Sequence, residues 1–279
     1  MGTYLRPASL EGALAALADH PRAILAGGTD FYPARVGRPV EDDVLDISAL
    51  AALRGIREES GRIRIGAATT WTELIETPLG RQFDCLKRAA REVGGVQIQN
   101  AGTIAGNLCN ASPAADGVPA LLALGAEVEL RSASHRRALP LADFIVGNRR
   151  TARAADELVT AVLVPRWSDR ARSAFLKLGA RKYLVISIAM VGVAVDVAAD
   201  GTILRSGVAV GACSAVARRL ESLERELAGR KLDPAIAALV SPRHLAPLAP
   251  ISDVRGTAEY RRDAVLTLVR RALGQLANE

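Results

Sequence analysis

Hydrophobic spacing changes period several times along this chain, and each change marks an element. Over residues 9–19, Leu10, Ala13, Leu14 and Leu17 recur at helical spacing, with Ser9 placed as an N-cap. The apolar run 23–26 reads as a short strand ending abruptly in Gly27-Gly28-Thr29-Asp30, and 44–47 reads as a second strand. After the turn pair Ser60-Gly61 the period falls to two: Ile63, Ile65 and Ala67 alternate with Arg62, Arg64 and Gly66. Residues 70–75 and 81–93 are predicted helices, the second stopped by Gly94-Gly95. The stretch 102–117 is small, polar and aperiodic, so it is expected to be a loop outside the core. A helix over 118–124 and strands over 127–130 and 158–164 follow, the last ended by Pro165.

A boundary is expected at 165–172. Beyond it lies a strand over 175–178, then an apolar run, 183–195, that reads as a buried strand or core segment. Residues 191–197 and 203–212 flank Ala199-Asp200-Gly201, a hairpin signal. Helices are predicted at 215–228 and 257–275, linked by the polar stretch 241–254. No internal repeat is visible. The pattern predicts an α+β protein in three segments, 1–55, 56–168 and 169–279.

Composition narrows the classes. With 49% hydrophobic and 24% charged residues, the chain can bury a core. Aromatics at 4% leave little for stacking on nucleic acid, and the net charge of +6 is spread as Arg pairs rather than a basic run. The apolar run 183–195 is too short for a membrane span, which needs about 20 residues. The N-terminal residues lack the apolar region of a secretory signal, so a cytoplasmic protein is expected. Cys85, Cys109 and Cys213 are far apart and form no CxxC pair, which argues against a zinc site, an iron–sulfur cluster or a disulfide framework on this chain. His20, His135 and His244 fall in turn or loop contexts and read as surface residues. No Rossmann, Walker or zinc-protease motif occurs, so no side chain is predicted as a catalytic acid, base or nucleophile.

Two glycine-bearing segments remain. In Leu25-Ala26-Gly27-Gly28-Thr29-Asp30, paired glycines after a strand let backbone N–H groups approach an anion; an ordinary tight turn is the competing reading. In Gly102-Thr103-Ile104-Ala105-Gly106-Asn107 and on to Asp116, small residues, amides and a hydroxyl precede a helix. The two segments, about 75 residues apart, suit a diphosphate gripped from both sides without a Rossmann helix.

These motifs, with Ala111-Ser112-Pro113-Ala114-Ala115-Asp116, Ser173-Ala174-Phe175-Leu176-Lys177 and the segment 253–262, closely resemble the FAD-binding medium subunits of molybdenum hydroxylases. That family includes the xanthine dehydrogenase and carbon monoxide dehydrogenase types, and the resemblance covers essentially the whole chain. It implies a two-part N-terminal FAD-binding domain of the vanillyl-alcohol-oxidase-like kind and a smaller α+β C-terminal domain. It implies that Ile24, Leu25, Ala26, Gly27, Gly28, Thr29, Asp30 and Phe31, with Thr103, Ile104, Ala105, Gly106 and Asn107, hold the diphosphate, largely through backbone N–H groups. Asp116 would bind ribityl or ribose hydroxyls, and Val93, Val159 and Lys177 would lie near the flavin ring; a surface charge on an edge strand is the competing reading of Lys177. Ala105 stands where many relatives carry Gly; near Val185 relatives often carry an acidic residue, and near Ile186 sometimes an aromatic one. The resemblance further implies a small partner subunit with [2Fe–2S] clusters, a large one with molybdopterin, and an external acceptor such as NAD or a quinone. A self-sufficient FAD-dependent reductase and a flavin-free structural subunit of the same fold are the rival readings.

Overall fold

The first stretch folds as its spacing predicts. A computed structural model describes residues 2–279; Met1, with which the expected first segment begins, lies outside them. Helix α1 (Leu10–Asp19) follows strand β1 (Tyr4–Leu5) and is capped by Ser9, whose side chain accepts the Gly12 N–H. Its Leu10, Ala13, Leu14 and Leu17 pack on β2 (Ala23–Leu25) and β3 (Val44–Asp46), in a parallel sheet ordered β1-β3-β2.

The next stretch carries β4 (Ile56–Glu59), β5 (Arg62–Gly66), α2 (Trp71–Glu76) and α3 (Asp84–Arg91). Then come α4 (Val96–Ala101), α5 (Ile104–Asn110) and α6 (Gly117–Ala123). The chain continues through β6 (Glu127–Arg131), β7 (Arg136–Pro140), α7 (Leu141–Phe144), β8 (Ile145–Gly147), β9 (Arg150–Thr151) and β10 (Leu158–Pro165). An antiparallel five-stranded sheet forms in the order β4-β5-β10-β6-β7, with β8 and β9 as a separate hairpin. The expectation of a loop outside the core at 102–117 is wrong. Helix α5 buries Ile104, Ala105 and Leu108 in the central core, and Thr103 caps it by accepting the Gly106 N–H. About two turns, with Gly, Ala and Asn among them, are too short to show a readable period, so a cap and three buried side chains decide the structure instead.

The last stretch holds β11 (Arg172–Leu178), β12 (Ala189–Val197), β13 (Ile203–Gly211) and β14 (Arg218–Arg219), paired antiparallel in that order. Helices α8 (Glu221–Leu227) and α9 (Ala258–Ala277) cover one face. Every residue of β12 is buried, and the pleat sorts them. Val191, Val193 and Val195 meet the α8 and α9 side, whereas Met190 and Ala194 meet the central core. Helix α6, buried along its whole length, lies against that second face. The approach is so close that a Cβ at Gly207 would be driven into the Ala123 carbonyl.

Three further expectations need correction. The apolar run from Tyr183 is not strand until Ala189: Tyr183, Leu184 and Ile186 are exposed, and Leu184 sits at φ +51°, which breaks the extended path. The helix expected at 215–228 starts only at Glu221, because Arg218 and Arg219 pair with β13. His244 is wholly buried, its Nδ1 accepting the Ser241 N–H at 3.0 Å and its Nε2 lying 3.2 Å from Glu226. Among the described residues no helix is long and apolar enough to cross a membrane.

Candidate functional site

Where the first sheet meets α5 and the start of β10, the chain encloses a cleft of about 800 Å³. One wall is the turn after β2. Within it, the backbone N–H groups of Gly27, Gly28, Thr29, Asp30 and Phe31 donate to no acceptor among the described residues. Five consecutive donors without a protein acceptor on a cleft wall are available to an anion or to water. The local sequence dictates this shape. Gly28 takes φ +74°, which only glycine adopts cheaply. Gly27 presses so closely on the next wall that a Cβ there would be driven into the Ala101 carbonyl oxygen. Arg35 locks the far end, with its guanidinium 3.8 Å from the Phe31 ring centroid and bonded to the Phe31 carbonyl and Asp42.

The opposite wall is the start of α5, and its backbone behaves differently. The Ile104 N–H donates to Thr69 O, Ala105 to Ala67 O, Gly106 to Thr103 Oγ1 and Asn107 to Thr103 O. Within the expected backbone cradle at 103–107, the four amides of residues 104–107 thus already donate to the protein's own acceptors. What this wall presents is a side chain: Asn107 Oδ1 is buried without a hydrogen-bond partner. An orphaned buried amide oxygen costs on the order of 1–3 kcal/mol, so it marks a position where a donor belongs.

At the floor, Asp116 accepts from Lys177 Nζ at 2.9 and 3.0 Å and from Ser187 Oγ at 3.1 Å. Lys177 Nζ also donates to Glu92 O at 3.3 Å. Burial pushes the Asp116 carboxyl up to about 6, more than the Lys177 charge and the Ser187 bond draw it down.

Fourteen of the residues singled out from the sequence line this cleft: Ile24, Ala26, Gly27, Gly28, Thr29, Asp30, Phe31, Val93, Thr103, Ala105, Gly106, Asn107, Asp116 and Val159. Leu25 and Ile104 point into the core instead, and Lys177 stands behind Asp116 rather than on the wall. Sequence reasoning missed Trp71, Asn110, Arg149, Arg153 and Leu158, which also line it. Arg149 had a signal only in retrospect: it sits at φ +59° in the β8–β9 turn, and its side chain bonds Asn110. All three cysteines are free thiols, and among the described residues no cluster of His, Cys, Asp and Glu is placed to hold a metal ion.

Five free amides, an orphaned amide oxygen and a carboxylate, set around a cleft of mixed polar and apolar lining, fit a dinucleotide with an anionic middle. Comparison with known proteins points the same way. A family described as FAD binding domain in molybdopterin dehydrogenase matches residues 1–167, and the CO dehydrogenase flavoprotein C-terminal domain matches residues 173–276. The nicotinate dehydrogenase FAD-subunit of Eubacterium barkeri is 42% identical over 202 residues, 70% of this chain and 68% of that one. The xanthine dehydrogenase FAD-binding subunit of Escherichia coli O157:H7 is 31% identical over 98% of this chain and 95% of its own length. Among solved structures, a chain of reconstituted CO dehydrogenase from Oligotropha carboxidovorans superposes with a TM-score of 0.89 at 30% identity. That match covers 100% of this chain and 98% of the other.

Proposed function

Because this chain belongs to the family of FAD-binding medium subunits of molybdenum hydroxylases, we propose that it relays electrons between a partner's iron–sulfur clusters and an external acceptor. Its membership makes it an oxidoreductase subunit with an FAD-binding domain. The partners are a small subunit carrying [2Fe–2S] clusters and a large one where molybdopterin oxidises the substrate. Bound FAD supplies the chemistry that joins one-electron donors to one- or two-electron acceptors such as NAD or a quinone.

The chain's own task is to hold and orient. The N–H groups of Gly27–Phe31 donate to the diphosphate, and Gly28 supplies the left-handed turn that presents them. Asn107 Oδ1 accepts one donor from the dinucleotide and so loses its orphan status. Asp116 keeps acceptor capacity for a sugar or ribityl hydroxyl, while Lys177 and Ser187 fix its orientation from behind. Val93, Val159 and Ile186 form apolar walls for the ring. Ile104 and Leu25 anchor the two walls in the core, and Thr103, Ala105 and Gly106 set the shape of the second. We read segments 1–55 and 56–168 as the two halves of this grip and 169–279 as its support.

The observation that carries the reading is the run of five neighbouring amides with no protein acceptor on the cleft wall. The purified chain is expected to be yellow and to release about one FAD per chain on heating. Stripped chain should regain the visible spectrum on titration with FAD. A colourless chain that takes up no added FAD would refute the cofactor assignment. Failure to co-purify an iron–sulfur partner when its neighbouring subunits are co-expressed would refute the relay.

A further inference from the structure

The segment 253–262 carries part of the family resemblance yet contributes nothing to the cleft wall. It reaches the cleft through two backbone carbonyls. Asp253 Oδ1 accepts from the Arg255 N–H at 2.9 Å and from Arg261 at 2.7 Å. Its Oδ2 accepts from the Arg255 guanidinium at 2.6 and 3.1 Å. The far side of each guanidinium is spent on the loop before β12 and, for Arg261, also on the residue after β13. Arg255 donates to Ser187 O at 3.3 Å, and Arg261 to Ile188 O at 2.7 Å and Ala212 O at 3.0 Å.

That loop needs an external hold. Among the described residues, the hydrogen bonds of residues 180–188 to the rest of the chain involve only Ser187 and Ile188. Tyr183, Leu184 and Ile186 are exposed, so burial does not fix them. Ser187 is nonetheless the residue that donates to Asp116, and Ile186 lines the cleft. A buried guanidinium such as Arg261, only 1% exposed, is an expensive way to fill a core. It makes sense where several fixed carbonyls must be gathered by one rigid, planar donor.

Taking the cleft as the FAD site, we propose that Asp253, acting through Arg255 and Arg261, is a positioning residue for that site. It pins the Ser187 and Ile188 carbonyls, and this aims the Ser187 hydroxyl at Asp116 and seats Ile186 against the ring.

The test uses the full chain, stripped and titrated with FAD, reading affinity by flavin fluorescence and ring environment by visible circular dichroism. Arg255→Met is the informative variant, since Arg255 is partly exposed and removing it leaves Arg261 to hold Asp253. It should keep the wild-type urea midpoint, weaken FAD about ten-fold and alter the flavin dichroism as Ser187→Ala does. The double variant should be no weaker than Ser187→Ala alone, because both changes cut one route. Arg255→Lys should recover part of the loss. Wild-type affinity and dichroism in Arg255→Met, or full additivity in the double variant, would overturn the proposal. A wild-type chain that takes up no FAD would overturn the cleft assignment beneath it, an outcome separable from any difference between variants.

Discussion

Asp116 is a carboxylate caught between two opposing effects, and its titration tells which one wins. Its side chain is 12% exposed, Lys177 touches it at 2.9 Å, and burial still sets its carboxyl at about 6 rather than 3.8. A carboxyl whose folded pKa is raised binds more protons folded than unfolded. Its contribution is therefore fully present below about 3.8 and is lost as pH rises through about 6. Between pH 4.5 and pH 7 the loss amounts to about 2 kcal/mol. Asp116→Asn removes the titration while keeping the shape, so the comparison cancels the other acidic groups. Urea unfolding of the FAD-free chain at both pH values should find the variant gaining about 2 kcal/mol on wild type at the higher pH. A difference that stays flat would show that the carboxyl titrates normally. A difference of opposite sign would show that the Lys177 charge outweighs burial, and the account of the cleft floor would fall.

Three substitutions test the walls. Gly27→Ala drives a methyl group into the Ala101 carbonyl; it should cost roughly 1–3 kcal/mol in urea unfolding and abolish FAD retention. An unchanged urea midpoint would mean the two walls are not in contact. Asn107→Leu removes an orphaned oxygen, so the stripped chain should be as stable as wild type or more so while FAD affinity falls. Loss of both together would reassign Asn107 to structure. Thr103→Ala deletes the cap of α5 and should lower stability by about 1 kcal/mol; a smaller loss of FAD affinity should accompany it, measured by fluorescence titration. FAD binding abolished at unchanged stability would place Thr103 on the ligand instead.

Much of this was legible because the signals were local. Ser9 with its leucines, the alternating Ile63 and Ile65, and the Asp200-Gly201 hairpin each carry their instruction within a few residues. The turn at Gly27-Gly28 was legible for the same reason, since paired glycines after a strand have few uses. What failed depended on distant partners. Helix α5 is too short for its apolar face to be read from the sequence, and Ala67 and Thr69 take its first amides. His244 reads as a loop residue until Glu226 is brought beside it. The run at Tyr183 has strand composition but no strand partner before Ala189. Nor could any local pattern reveal that Lys177 bonds Asp116 and the Glu92 carbonyl, both far from it along the chain.

Helix α6 has no outside. Both of its flanks are buried, one against the five-stranded sheet's core and the other against β12 and β13, with Gly207 cut back to let its backbone in. The two matched segments therefore share a wall, although they can be told apart along the chain. Exchange of either segment between relatives by recombination would leave one side of α6 facing a surface shaped for another helix. Chimeras joined near residue 170 should thus be rare among viable genes, and a chain cut there should yield two insoluble halves rather than two working modules.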